Sequence, residues 1–205
     1  MKVIKIGERF IYLLGTVQGL VEEKEKVRKA YFISKADAIA VAISKEMIKG
    51  LQDVIEKRID KVFVSNINEI FAKKLTVFGE VQLPPPSLVE AYQISKDYNI
   101  PIIPIDMSEE EYQESFIKAI SGFDYFRHIW RIGRLKKKKF KCKTPQEFVL
   151  AWDRYMRKIK GFMVLEWNRE IYMAEKLREL SKEHKKILAV VEYEREEGIA
   201  KKIVE

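Results

Sequence analysis

Three short apolar runs set the terms on which this chain can fold: Phe10 to Leu14, Ala38-Ile39-Ala40-Val41-Ala42-Ile43, and Ile187-Leu188-Ala189-Val190-Val191. Each has the length and composition of a buried strand. Between the first two, Val27, Ala30, Tyr31 and Ser34 recur at helical spacing among Glu22, Glu23, Lys24, Glu25 and Lys26, which predicts an amphipathic helix over 21–35. Strand, helix and strand in that order make a right-handed βαβ unit with parallel strands. Upstream, Val3 to Ile6 and the Gly7-Glu8 turn complete a hairpin with the first core strand, which ends at Gly15-Thr16.

The same alternation continues. Ser44 opens a helix to about Arg58, Val62-Phe63-Val64 reads as a short strand, and Asn66 to Leu75 as a helical turn. After the stiff Pro84-Pro85-Pro86 connector, Ser87-x-x-Glu90 has the form of a capping box for a helix ending near Tyr98. Ile100 to Asp106 then supplies another strand, with prolines suited to its ends. Ser108-x-x-Glu111 repeats the capping pattern, and Thr144-Pro145-Gln146-Glu147 combines an N-cap, a first-turn proline and a capping glutamate. The pattern from Pro145 to about Glu183 is helical, broken near Gly161, and Gly198 to Val204 closes the chain as a short helix. The expected fold class is therefore α/β: a mixed, mostly parallel sheet flanked by helices, in one domain over residues 1–205, with residues 107–160 a basic helical insertion.

At 205 residues and 47% hydrophobic content the chain can bury one sizeable core. It holds no apolar stretch near the ~18 to 20 residues of a membrane span, and its first residues are too charged for a signal peptide. Cys142 is the only cysteine, so an internal disulfide is excluded and a cytoplasmic location is expected. Cys142 is assigned no role. The lysine- and glutamate-rich charged fraction of 34% fits a thermophilic source. The net charge of +8 is local: Arg127, Arg131, Arg134, Lys136, Lys137, Lys138, Lys139, Lys141 and Lys143 form a segment with no acidic residue.

Ligands of open α/β sheets sit beyond the carboxyl ends of the strands. Three such ends carry polar residues here: Gly15-Thr16-Val17-Gln18, Ser44-Lys45-Glu46 and Glu192-Tyr193-Glu194-Arg195. Read as loops, they either line one cleft or are ordinary strand-to-helix connections.

These segments also carry a family resemblance. Ile11 to Gln18 resembles the opening of TraB/Tiki proteins, a hydrophobic strand running into Gly-Thr-x-His. Asp37 to Ile43 resembles that family's next strand, and Arg169 to Leu177 its arginine-led helix containing Met-Ala-x-x-Leu. Val190 to Ile199 fits its closing strand, second Gly-x-x-His and Gly-Ile. The resemblance covers roughly the first 60 and last 40 residues, and it implies a metal-dependent hydrolase frame. The departures fall on the chemistry. Gln18 stands at the first expected histidine, Ala42 at the expected acidic residue, and Glu192-Tyr193-Glu194-Arg195 at the second histidine motif; of these positions Arg169 alone matches. Glutamine is a weak metal ligand and arginine is none, so loss of the metal reaction is expected, with no metal and no cofactor. His128 and His184 read as surface residues that do not replace the missing ligands.

Gly15, Thr16, Gln18, Ser44, Arg169, Glu192, Glu194 and Arg195 are then the cleft candidates, for a non-catalytic TraB-like protein that binds a small molecule or peptide. An arginine such as Arg169 suits a carboxylate or phosphate bidentately. Glu192, Glu194, Glu196 and Glu197 read as a solvated charged loop, or as the core of a rewired carboxylate enzyme with weak magnesium or calcium binding. The alternative function uses the basic segment. Arg127, Arg131, Arg134 and Lys138 share one helical stripe, with Phe126, Ile129, Trp130 and Gly133 elsewhere, an arrangement suited to nucleic acid, an acidic protein or a membrane surface. Self-association is left open.

Overall fold

A computed structural model describes residues 1–57 and 65–205; the short strand expected at Val62–Val64 lies outside the described residues. The chain runs β1 (Lys2–Ile6), β2 (Arg9–Thr16), α1 (Glu23–Ser34), β3 (Ala38–Val41), α2 (Lys45–Lys57), α3 (Asn66–Leu75), α4 (Pro86–Asp97) and β4 (Ile102–Pro104). Then come α5 (Glu109–Ala119), α6 (Gly122–Leu135), α7 (Pro145–Met156), α8 (Lys160–Glu183), β5 (Lys186–Glu192) and α9 (Tyr193–Val204). It is an α/β fold with a five-stranded mixed sheet, ordered β1-β2-β5-β3-β4.

Gly7 takes a left-handed φ of +60° in the two-residue turn that joins β1 to β2, and these two strands pair antiparallel. The remaining pairings are parallel. The β2-α1-β3 unit does have parallel strands, but they are not neighbours, because β5 lies between them and pairs with both. Two strands from the first fifth of the chain therefore wait for one from its end.

Alternation along these strands sorts side chains to two faces. Leu14, Ile39, Val41, Leu188 and Val190 pack with α1, α2 and α4, while Ile11, Leu13, Ala40, Ile187, Ala189 and Val191 pack with α8 and α9. A third cluster, around Leu75, Leu135, Phe148 and Trp152, joins α3, α6 and α7 beyond the sheet and is capped on the sheet side by Val17 and Leu20. The described elements between β4 and β5 are all helical, as the sequence implies for this region.

Two local expectations fail. Ser87 is not a cap: α4 begins at Pro86, and Ser87 is fully buried inside the first turn, its hydroxyl 3.4 Å from the Thr16 hydroxyl. Glu90 turns away from the helix start to pair with Arg28 at 2.7 Å. The proline at the first turn already presets the helix entry, which leaves the serine free to be recruited by tertiary contact. The closing helix also starts five residues before Gly198, at Tyr193. The remaining capping signals hold. Ser108 and Glu111 form a reciprocal capping box, and Thr144 caps α7 by accepting from the Glu147 amide at 3.1 Å.

Candidate functional site

The carboxyl ends of the parallel strands lie side by side, because β2, β5, β3 and β4 run in the same direction. Gly15 and Thr16 finish β2, Glu192 finishes β5, and Asp106 follows β4 by two residues. Onto this edge α9 starts without a loop. Its closeness depends on Gly15, where a Cβ would stand 3.0 Å from the Tyr193 Cα. The Gly15 amide donates to Glu196 Oε1 at 3.1 Å, which ties the strand end to the first turn of the helix.

Arg169, on α8, is enclosed by carboxylates. Its Nε and Nη2 engage both oxygens of Asp106, its Nη1 donates to Glu166 Oε2 at 2.8 Å, and Nη2 lies 3.5 Å from Glu192 Oε1. Arg195 shares the same glutamate: its Nη2 is 2.8 Å from Glu166 Oε2 and its Nη1 is 2.6 Å from Asp153 Oδ1. Arg157 pairs with Asp153 and Glu170, and Lys202 reaches Glu170 Oε2 at 3.0 Å. The result is one continuous network of Asp106, Asp153, Glu166, Glu170 and Glu192 with Arg157, Arg169, Arg195 and Lys202.

Burial sets the protonation of this network. Burial works against both guanidiniums, yet Glu166 and its neighbouring carboxylates outweigh it and hold Arg169 and Arg195 above the ordinary arginine range. Glu166 is desolvated too, but the two arginines bring it below the usual carboxylate value. Glu192 goes the other way, raised by burial against the pull of Arg169. Its Oε2 is buried with no hydrogen-bond partner among the described residues. Glu194 is pushed up to about 7 by burial and by the charge of Glu192. A carboxyl that titrates near neutrality changes charge where few side chains do.

Beside Asp106 a cavity of about 340 Å³ opens, lined also by Lys45, Pro104, Ser108, Glu110, Glu111 and Tyr172. Tyr172 donates its hydroxyl to Glu111, at 3.0 Å from Oε2, and burial together with that bond raises the phenol to about 12. The cavity thus has one flexible cation and three carboxylates on its walls.

Of the eight cleft candidates, Arg169, Glu192, Glu194 and Arg195 converge. The reading of Glu192–Arg195 as a solvated loop is corrected: Glu192 ends β5, Tyr193 to Arg195 form the first turn of α9, and Arg195 is 7% exposed. Glu197, by contrast, is solvent-facing and pairs with Lys2. Gly15 serves by close approach. Thr16 spends its hydroxyl on the Val191 carbonyl and Ser87, and Ser44 spends its own on the Met47 amide at 3.2 Å, capping α2. Gln18 is half-buried next to Val17 and joins no ion pair. Asp106, Asp153, Arg157, Glu166 and Glu170 were not picked out by sequence reasoning. The signals available for them were local: Glu166 and Arg169 at i and i+3, Asp153 and Arg157 at i and i+4, and Asp106 directly after an apolar run.

The residues present do not fit the metal that the family resemblance implies. Arg195, where the resemblance would place a histidine, is a guanidinium already paired with Asp153 and Glu166, so it supplies no ligand and occupies both neighbouring carboxylates. Among the described residues no group of three histidine, cysteine or carboxylate side chains is disposed to hold a metal ion. His184 ends α8, 3.7 Å from Asp37. His128 is not a surface residue: it is half-buried, stacked on Phe162 with ring centroids 4.0 Å apart, and burial lowers its pKa.

The basic segment is helical to Leu135, but its cations do not form one free stripe. Arg131 turns inward, donating to the Tyr155 carbonyl at 2.6 Å with its guanidinium 3.8 Å from that ring. Lys138 is half-buried, 5.0 Å from Tyr155. Arg127, Arg134, Lys136, Lys137, Lys139, Lys141 and Lys143 are exposed.

Comparison with known proteins finds no family model that matches the chain and no curated protein similar to it in sequence. No helix among the described residues is long and apolar enough to cross a membrane.

Proposed function

We propose that this chain is a binding protein on a TraB-like frame that has lost the metal reaction, and that its cleft at the carboxyl edge of the sheet takes a small molecule or peptide bearing a cationic group. Charge balance carries the reading. Asp106, Asp153, Glu166, Glu170 and Glu192 outnumber the four cations of the network by one, and each arginine is already held by at least two carboxylates. An anionic ligand would have to displace those partners. An ammonium or guanidinium would instead find the unpaired Glu192 Oε2 and the acidic wall of the neighbouring cavity.

The same arrangement supports a binding role over catalysis. Each arginine of the network is neutralised in place, so none of the three is left to stabilise a developing oxyanion. The test is calorimetry with arginine methyl ester and lysine-containing tripeptides. Saturable binding is expected, weakened about tenfold by Glu192→Gln, in line with loss of one charge-assisted contact. Binding that is unsaturable, or indifferent to Glu192→Gln, overturns the cationic ligand. A stoichiometric transition metal in elemental analysis of the purified protein overturns the loss of metal chemistry.

A further inference from the structure

Helix α6 is amphipathic in the wrong sense for a buried helix. Leu135 is fully buried, His128 stacks on Phe162, and Arg131 lies over Tyr155, which together fix the inward face. The opposite side carries Phe123, Phe126, Ile129 and Trp130, exposed at 69%, 70%, 50% and 55%. Four large apolar side chains left in water on two turns of one helix exceed the scattered exposure that a folded surface normally tolerates. Around them stand Arg127 and Arg134, followed by the exposed Lys136, Lys137 and Lys139, with no acidic residue from Arg127 to Lys143.

We propose that α6 is a docking helix for an anionic lipid surface, lying in the plane of the interface with Phe123, Phe126, Ile129 and Trp130 in the acyl boundary and the flanking cations on the phosphates. The occupant follows from the chemistry of the face. Apolar side chains call for a medium that solvates them, and the surrounding cations call for negative charge; an anionic bilayer offers both at the depth of one helix. Nucleic acid satisfies only the second demand. Its bases would need open aromatic faces, but the Arg134 guanidinium already sits 3.5 Å from the Trp130 ring centroid, and Arg127 lies 5.6 Å from that of Phe123. Ile129 offers no face for stacking at all. The arginine over an indole whose edge stays free is instead suited to the interfacial zone, where the ring is half immersed and the cation meets a headgroup.

Co-sedimentation of the full chain with vesicles tests this. Binding to vesicles containing about one-third phosphatidylglycerol should exceed binding to pure phosphatidylcholine at least tenfold and weaken with salt. The double variant Phe126→Ser with Trp130→Ser should lose at least tenfold while its thermal unfolding stays unchanged, since both side chains lie outside the packed core. The triple variant Lys136→Gln, Lys137→Gln, Lys139→Gln should reduce both the affinity and its salt dependence. Equal binding to neutral and anionic vesicles overturns the proposal, and so does full retention of binding by the Ser variant. A single-stranded oligonucleotide that binds more tightly than vesicles, without regard to Phe126 and Trp130, assigns the face to a polyanion instead. A dimer in sedimentation equilibrium that the Ser variant dissolves, with vesicles left unbound, assigns it to a second copy of the chain.

Discussion

Arg195 illustrates how a single position organises a site. A guanidinium there cannot ligate a metal, but it can hold Asp153 and Glu166 together, each of which also keeps a second arginine. Arg195→Met should therefore destabilise the protein by about 1 to 3 kcal/mol in denaturant unfolding, because it takes one of two arginine partners from each carboxylate, Asp153 keeping Arg157 and Glu166 keeping Arg169. Stability equal to the parent would show that the network is not charged as described. Glu194 adds a pH dependence of known sign. Its folded value of about 7 lies above the ordinary 4.5, so it favours the folded state below pH 4.5, and that contribution is lost as pH rises from 4.5 through about 7. The full effect is about 3 to 4 kcal/mol, at about 1.4 kcal/mol per tenfold change in proton affinity. Glu194→Gln should flatten this part of the stability profile, and a parallel profile would contradict the burial of the carboxyl. Arg169 was legible as a group that grips a carboxylate bidentately; that the carboxylate is the chain's own Asp106, 63 residues away, was not.

Secondary-structure elements report where local chemistry was sufficient and where it was overruled. The Ser108–Glu111 box needs only four consecutive residues, so its signal survives folding. Ser108→Ala should cost about 1 kcal/mol and remove the hydroxyl bond, the second of the two Ser108 bonds that hold the Glu111 carboxyl below its usual range, while the larger one from the Ser108 amide stays; thermal unfolding and a small upward shift in the NMR titration of Glu111 check the two effects. Ser87–Glu90 has the same letters and a different fate, since the buried hydroxyl of Thr16 and the side chain of Arg28 claim its two members. The early start of α9 has a similar cause. Glu194, Arg195 and Glu196 suit a helix start, and packing allows it where it begins: Gly15 permits backbone contact and Gly198 admits the Glu170 carboxylate, which would stand 2.2 Å from a Cβ at that position. Gly198→Ala should consequently lower the melting temperature by several degrees, since Glu170 is pinned by Arg157 and Lys202 and cannot step aside. An unchanged melting temperature would mean that the carboxylate is free to move. Packing alone gives both glycines a reason to be there.

For the molecule as a whole, β5 is the decisive element, because it lies between β2 and β3 and joins the β1-β2 pair to the β3-β4 pair. Deleting residues 186–205 should abolish cooperative unfolding and near-ultraviolet circular dichroism, as the β1-β2 and β3-β4 pairs would lose the strand that joins them and α8 the side chains of β5 and α9 that it packs against. Persistence of a sharp transition would contradict this dependence. By itself the sequence determined the alternation of strands and helices, the mostly parallel sheet, the helical region before α8 and the group of polar residues at the strand ends. Those properties follow from periodicity, run length and capping, which act over a few residues. Tertiary structure alone decided the order of the strands, the carboxylate partners of Arg169 and Arg195, and the outward turn of Phe126 and Trp130. These depend on which distant segments meet, and no local pattern encodes a pairing whose free energy appears only when both partners leave water together.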